Sequence, residues 1–154
     1  MKNIRIRVKI ESVINGGIQL IHLIYGAKGS GKTKRIIDMA NASIDTTTGD
    51  IVFITDTNRY MYDIKYQIRF INTEDNHIFT EEALLGFIKG LIAGNHDIKT
   101  IYIDGAHRIA KKDVDAMQDF YAELEVIAER QDVEFVLCVS KNEDELPDFL
   151  RKYL

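Results

Sequence analysis

The feature that most restricts the fold is the segment Gly26-Ala27-Lys28-Gly29-Ser30-Gly31-Lys32-Thr33, with an apolar run before it and a helical pattern after it. Its glycines open backbone conformations closed to other residues, so successive N–H groups can turn inward. A helix starting near Lys32 would add unpaired N–H groups and the positive end of its dipole. Such a concave set of donors matches the oxygens of a polyphosphate. A strand, this turn and then a helix also form the opening unit of a β/α alternation.

The rest of the chain continues that alternation. Ile36, Ile37, Ala40 and Ile44 give a helical stripe, and Gly49-Asp50 precedes a strand over 51–54. A short helix is predicted between Asn58 and Gln67, then a brief strand over 68–71. Thr80 is a suitable N-cap, with Glu81 and Glu82 in the first turn and Leu84, Leu85, Ile88, Leu91 and Ile92 on one face, which predicts a helix over 80–93. An apolar strand, 100–104, ends in Asp104. Val114, Met117, Tyr121, Leu124 and Ile127 then recur at helical spacing and predict one long helix over 112–130. Residues 133–139 read as a strand buried on both faces. A short terminal helix is expected to place Pro147 at its first position, N1.

These elements predict an α/β fold with three layers, α/β/α, around a mostly parallel five-stranded sheet joined by right-handed crossovers. A single domain is expected over 1–154, with residues 1–19 forming either a hairpin arm, alternating apolar and basic over 4–10, or an extension outside the core. Whether the Asp104 strand lies beside the strand before Gly26 or one strand away stays open.

The octapeptide fits G-x-x-x-x-G-K-[ST], the P-loop or Walker A pattern, and its strand-turn-helix context fits as well. In that reading residues Gly26, Ala27, Lys28, Gly29, Ser30, Gly31, Lys32 and Thr33 cradle the phosphates of ATP. Lys32 reaches the β- and γ-phosphates and the Thr33 hydroxyl ligates Mg²⁺. Charge-assisted hydrogen bonds contribute about 1.5 to 3 kcal/mol each, so several support roughly micromolar binding. Asp104, ending an apolar strand, is the second metal-site candidate and corresponds to a Walker B carboxylate.

On these residues the chain resembles the P-loop NTPase superfamily. Asp104-Gly105-Ala106-His107 is similar to the Asp-Glu-Ala-His box of helicase-like ATPases, but Gly105 stands where those families carry the glutamate that polarises the attacking water. Loss of a positioned base commonly removes about 10²- to 10⁴-fold in rate, so the resemblance implies slow hydrolysis or another carboxylate in that role. From Leu20 onward the chain also looks like small uncharacterised bacterial ATP-binding proteins with Tyr-Gly-x-Lys-Gly-Ser-Gly-Lys-Thr and a later Tyr-Ile-Asp. A weaker likeness to thymidine kinases rests on Asp56 and Arg59-Tyr60, and the zinc-binding cysteines of that family are absent from the sequence.

Asp56 is expected on the same sheet edge and is the candidate replacement base, with ordinary helix or turn capping as its plain alternative. Arg59 and Arg108 are candidates to stabilise charge on a transferred phosphoryl group, and His107 and Ser140 to sense a γ-phosphate. His22, His77 and His96 show no metal-ligand spacing, so zinc is not expected. Cys138, the lone cysteine, sits in an apolar run and reads as a buried hydrophobe.

Composition narrows the partners. Apolar residues at 45% and charged residues at 29% suit a folded globular chain, and a net charge of -4 does not favour nucleic acid. No apolar stretch is long enough to span a bilayer and no signal peptide is evident, so a cytoplasmic location is expected. Three functions follow: a Mg-ATP switch with slow ATPase activity stimulated by a protein partner that supplies catalytic groups, a small-molecule or nucleoside kinase, or a non-enzymatic nucleotide sensor or adaptor. ATP is preferred over GTP because no guanine-specifying Asn-Lys-x-Asp is present.

Overall fold

The computed structural model describes residues 18–154. The first arm of the expected N-terminal hairpin lies outside the described residues, and its second arm corresponds to β1 (Ile21–Tyr25). Then follow α1 (Lys32–Ser43), β2 (Asp50–Thr55), β3 (Arg69–Asn72), α2 (Glu81–Gly94), β4 (Ile98–Asp104), α3 (Ala106–Ala110), α4 (Gln118–Gln131), β5 (Glu134–Val139) and α5 (Asp148–Arg151).

Among the described residues the strands form one five-stranded sheet in the order β1-β5-β4-β2-β3, with every pairing parallel. The Asp104 strand is thus one strand away from β1, with β5 between them. Thr55 stands opposite Asp104, and Tyr25 opposite Val139, so the C-terminal ends of these strands form one edge. Open α/β sheets bind ligands at that edge.

Strand periodicity sorts the core into two faces. Leu23, Ile54, Ile101, Ile103, Phe135 and Leu137 meet residues of α2 and α4, including Leu84, Ile88, Phe120 and Leu124. Ile24, Phe53, Tyr102, Val136 and Cys138 face the other way, onto Ile36, Ile37 and Ala40 of α1. Helices therefore cover both faces. Burying a side chain of this size contributes about 1.5 to 3 kcal/mol, so each layer is held mainly by its apolar stripe. Cys138 is buried, as its neighbours suggested.

Three local expectations need correction. The segment between β2 and β3 holds only a 3-10 turn, Met61–Asp63, because Ile64 and Ile68 turn inward to cover Phe53 where α1 does not reach. The predicted 112–130 helix is broken: Lys111 takes a positive φ of 54° and ends α3, Asp113 caps a 3-10 turn over Val114–Ala116, and α4 begins at Gln118. Val114, Met117 and Tyr121 are all buried, so their spacing tracks the core rather than one continuous helix. Pro147 is the N-cap of α5, one position before the expected N1.

α2 matches its prediction closely. Thr80 accepts a hydrogen bond from Ala83 N at 3.1 Å, and Glu81 and Glu82 occupy the positive end of the helix. No helix among the described residues is long and apolar enough to cross a membrane.

Candidate functional site

The glycine-rich loop joins β1 to α1 at the sheet edge. Gly26 N donates to Val139 O at 3.3 Å, which anchors the loop to the end of β5. Ser30 N donates to Ala27 O at 3.1 Å and the Lys32 ammonium donates to the same carbonyl at 2.8 Å, so the loop folds back on itself. Gly31 caps α1 in the left-handed region at φ 90°, a conformation costly for any residue with a Cβ. A Cβ at position 26 would sit 2.6 Å from Ser30 Oγ, a buried hydroxyl without a hydrogen-bond partner.

Lys32 is only 7% exposed, and its pKa is lowered chiefly because burial disfavours the ammonium. Thr33, in the first turn of α1, donates through Oγ1 to Asp104 Oδ2 at 3.0 Å, across 71 residues of sequence. Asp104 is 2% exposed at the end of β4. The two side chains expected to hold a divalent cation are therefore adjacent oxygen donors at the mouth of the loop. Among the described residues no group of three or more His, Cys, Asp or Glu side chains is arranged to hold a metal. A hard cation bound by one carboxylate and one hydroxyl draws its remaining oxygens from water and phosphate, the usual arrangement for Mg²⁺. The donor set fits that ion.

Arg108 occupies the other side of Asp104. It donates through Nε and Nη2 to the two oxygens of Asp56, at 3.1 Å each, and through Nη2 to Asp104 O at 3.3 Å. The same Nη2 lies 3.8 Å from Asp104 Oδ1. Burial works against the guanidinium charge, but the hydrogen bond and charge of Asp56, with Asp104, outweigh it and raise the pKa. Asp56 thus reaches the expected edge with both carboxylate oxygens engaged.

Gly105 explains itself in this arrangement. It sits at φ 91° and ψ 40° as the N-cap of α3, and a Cβ there would collide with the Arg108 guanidinium. The space that a side chain at position 105 would enter is filled by Arg108. His107 is half-buried, and its pKa is lowered first by burial and then by the neighbouring Arg108.

A cleft of about 720 Å³ opens from the loop, lined at one end by Gly29, Gly31, Lys32, Thr33, Asp104 and Arg108. Ser140 also borders it, whereas Asp56, Arg59 and His107 do not. Arg59 instead lies over the Tyr60 ring, 5.4 Å from its centre. The cleft continues along α1 past Lys34, Ile37 and Asn41 to Tyr60 and Asp63 of the β2–β3 connection. Reading the sequence missed Asn41. Its amide donates to Asp63 O at 2.8 Å and accepts from Lys65 N at 3.0 Å, tying the connection to α1 and shaping the far wall. Nothing local to Asn41 signals that role, since its partners lie more than twenty residues on.

The fold and site define an α/β protein with a parallel sheet and an edge cleft built around a glycine-rich turn, a buried lysine and a carboxylate-hydroxyl pair. No protein-family model matches the chain, and no curated protein matches it significantly in a sequence search.

Proposed function

We propose that this protein binds a nucleoside triphosphate, ATP in preference, together with Mg²⁺, in the manner of P-loop NTPases, and works as a slow or partner-stimulated ATPase switch. The observation that carries the reading is the contact between Thr33 and Asp104 beside the folded glycine loop and the buried Lys32. Phosphate oxygens would replace the Ala27 carbonyl as the acceptor for the Lys32 ammonium, joined by loop N–H groups and the N-terminus of α1. Mg²⁺ would sit between Thr33, Asp104 and the β- and γ-phosphates and neutralise charge there.

Slow turnover follows from position 105. With glycine there and Arg108 filling the adjacent space, no carboxylate stands free to orient water, and Asp56 is engaged by Arg108. A partner protein that supplies a base or reorganises Arg108 would accelerate hydrolysis.

The test is phosphate release from Mg-ATP by the purified protein and by Lys32→Ala. Slow release by the wild type that the variant lacks supports the reading; equal release by both refutes it.

A kinase reading is favoured by one observation. The cleft runs on from Lys34 to Asn41, about 10 Å at the helical rise, which leaves room for an acceptor between α1 and Tyr60. ADP formed only when a nucleoside or sugar is added would select it. Binding with no turnover under either condition selects the sensor or adaptor.

A further inference from the structure

We propose that Arg108 is the residue by which the site distinguishes a nucleoside triphosphate from a diphosphate, and that Asp56 is the carboxylate from which the γ-phosphate must win it. The inference rests on the nucleotide-binding reading above and adds to it a specificity-determining pair.

Three observations support it. Arg108 lines the same end of the cleft as Lys32, Thr33 and Asp104, on the side of Asp104 away from the Thr33 contact. Its planar fork holds Asp56 by two parallel hydrogen bonds, the same geometry with which guanidinium binds two oxygens of a phosphate. Gly105, whose conformation leaves no room for a side chain, clears the path in which the guanidinium moves between these positions. Arg108 is more than a third exposed while Asp104 is buried, so the arginine can turn without breaking the core.

The consequence is a competition. In the absence of a γ-phosphate, Asp56 retains Arg108. A triphosphate draws the fork across, exchanging one doubly hydrogen-bonded anion for another of higher charge, whereas a diphosphate ends short of it. Asp56 lowers affinity for the triphosphate alone, because only that ligand must displace it.

Equilibrium titration of Mg-ATP and Mg-ADP against the wild type, Arg108→Gln, Asp56→Asn and the double variant tests this. Arg108→Gln is expected to weaken ATP binding by about tenfold or more while changing ADP binding less than about threefold, the scale of one charge-assisted bidentate contact. Asp56→Asn is expected to strengthen ATP binding and leave ADP unchanged. That gain must vanish when Arg108 is also replaced, since the two residues act through one contact. If Arg108→Gln weakens ATP and ADP equally, or Asp56→Asn strengthens ATP binding even without Arg108, Arg108 does not read the γ-phosphate and the inference falls by itself. If the wild type binds neither nucleotide, the parent reading falls with it.

Discussion

Gly105 and Gly86 show how much a single position depends on its backbone and its neighbours. Gly86 lies in the interior of α2, with nothing within 4 Å of an added Cβ. Gly86→Ala is expected to stabilise the protein by up to about 1 kcal/mol, from helix propensity and a less flexible unfolded chain. Gly105→Ala is expected to destabilise it by about 1 to 3 kcal/mol, because position 105 sits at φ 91° and the new methyl must displace Arg108. Urea denaturation of the two variants measures both, and equal effects would show that Gly105 is an ordinary turn glycine. The sequence displayed Gly105 only as a missing glutamate. What made it necessary is a guanidinium three residues on, held in place by Asp56 from a different strand, and a pairing across 52 residues leaves no local pattern.

Elements with a local cause were readable from their residues. Thr80, followed by two glutamates and an apolar stripe, specifies where α2 begins, and Thr80→Ala is expected to cost about 1 kcal/mol by freeing the Ala83 N–H, measurable as a lowered denaturation midpoint. The strands were legible because apolar runs bounded by turn residues are buried on both faces of a parallel sheet. The break between α3 and α4 was not, since Val114, Met117 and Tyr121 keep helical spacing while Lys111 at positive φ and the Asp113 cap interrupt the backbone. Hydrophobic period reports which side chains face the core, and the hydrogen bonds that end a helix are a separate matter. The same limit hid the β2–β3 connection, where Ile64 and Ile68 do the covering expected of a helix. Asn41→Ala removes both hydrogen bonds that tie this connection to α1. Faster amide exchange at residues 63–65 is the expected result, with exchange in β1 unchanged.

For the molecule as a whole, pH acts through two histidines. His22 and His107 both have pKa values below the ordinary 6.5, in each case chiefly through burial, so the fold binds their protons less well than the unfolded chain does. Their contribution to stability is complete above about pH 6.5 and is lost as the pH falls through that value, where the unfolded state takes up protons that the native state refuses. Stability measured between pH 7.5 and 5.5 should decline on acidification, and replacing either histidine with glutamine should flatten the slope. The nucleotide site is the property on which the functional account stands, and isothermal titration calorimetry of Mg-ATP against the wild type and Lys32→Ala tests it most directly. Saturable binding in the roughly micromolar range by the wild type, abolished in the variant and displaced by inorganic tripolyphosphate, is the expected result. No heat with nucleotide up to millimolar concentration, or equal binding by Lys32→Ala, would contradict it.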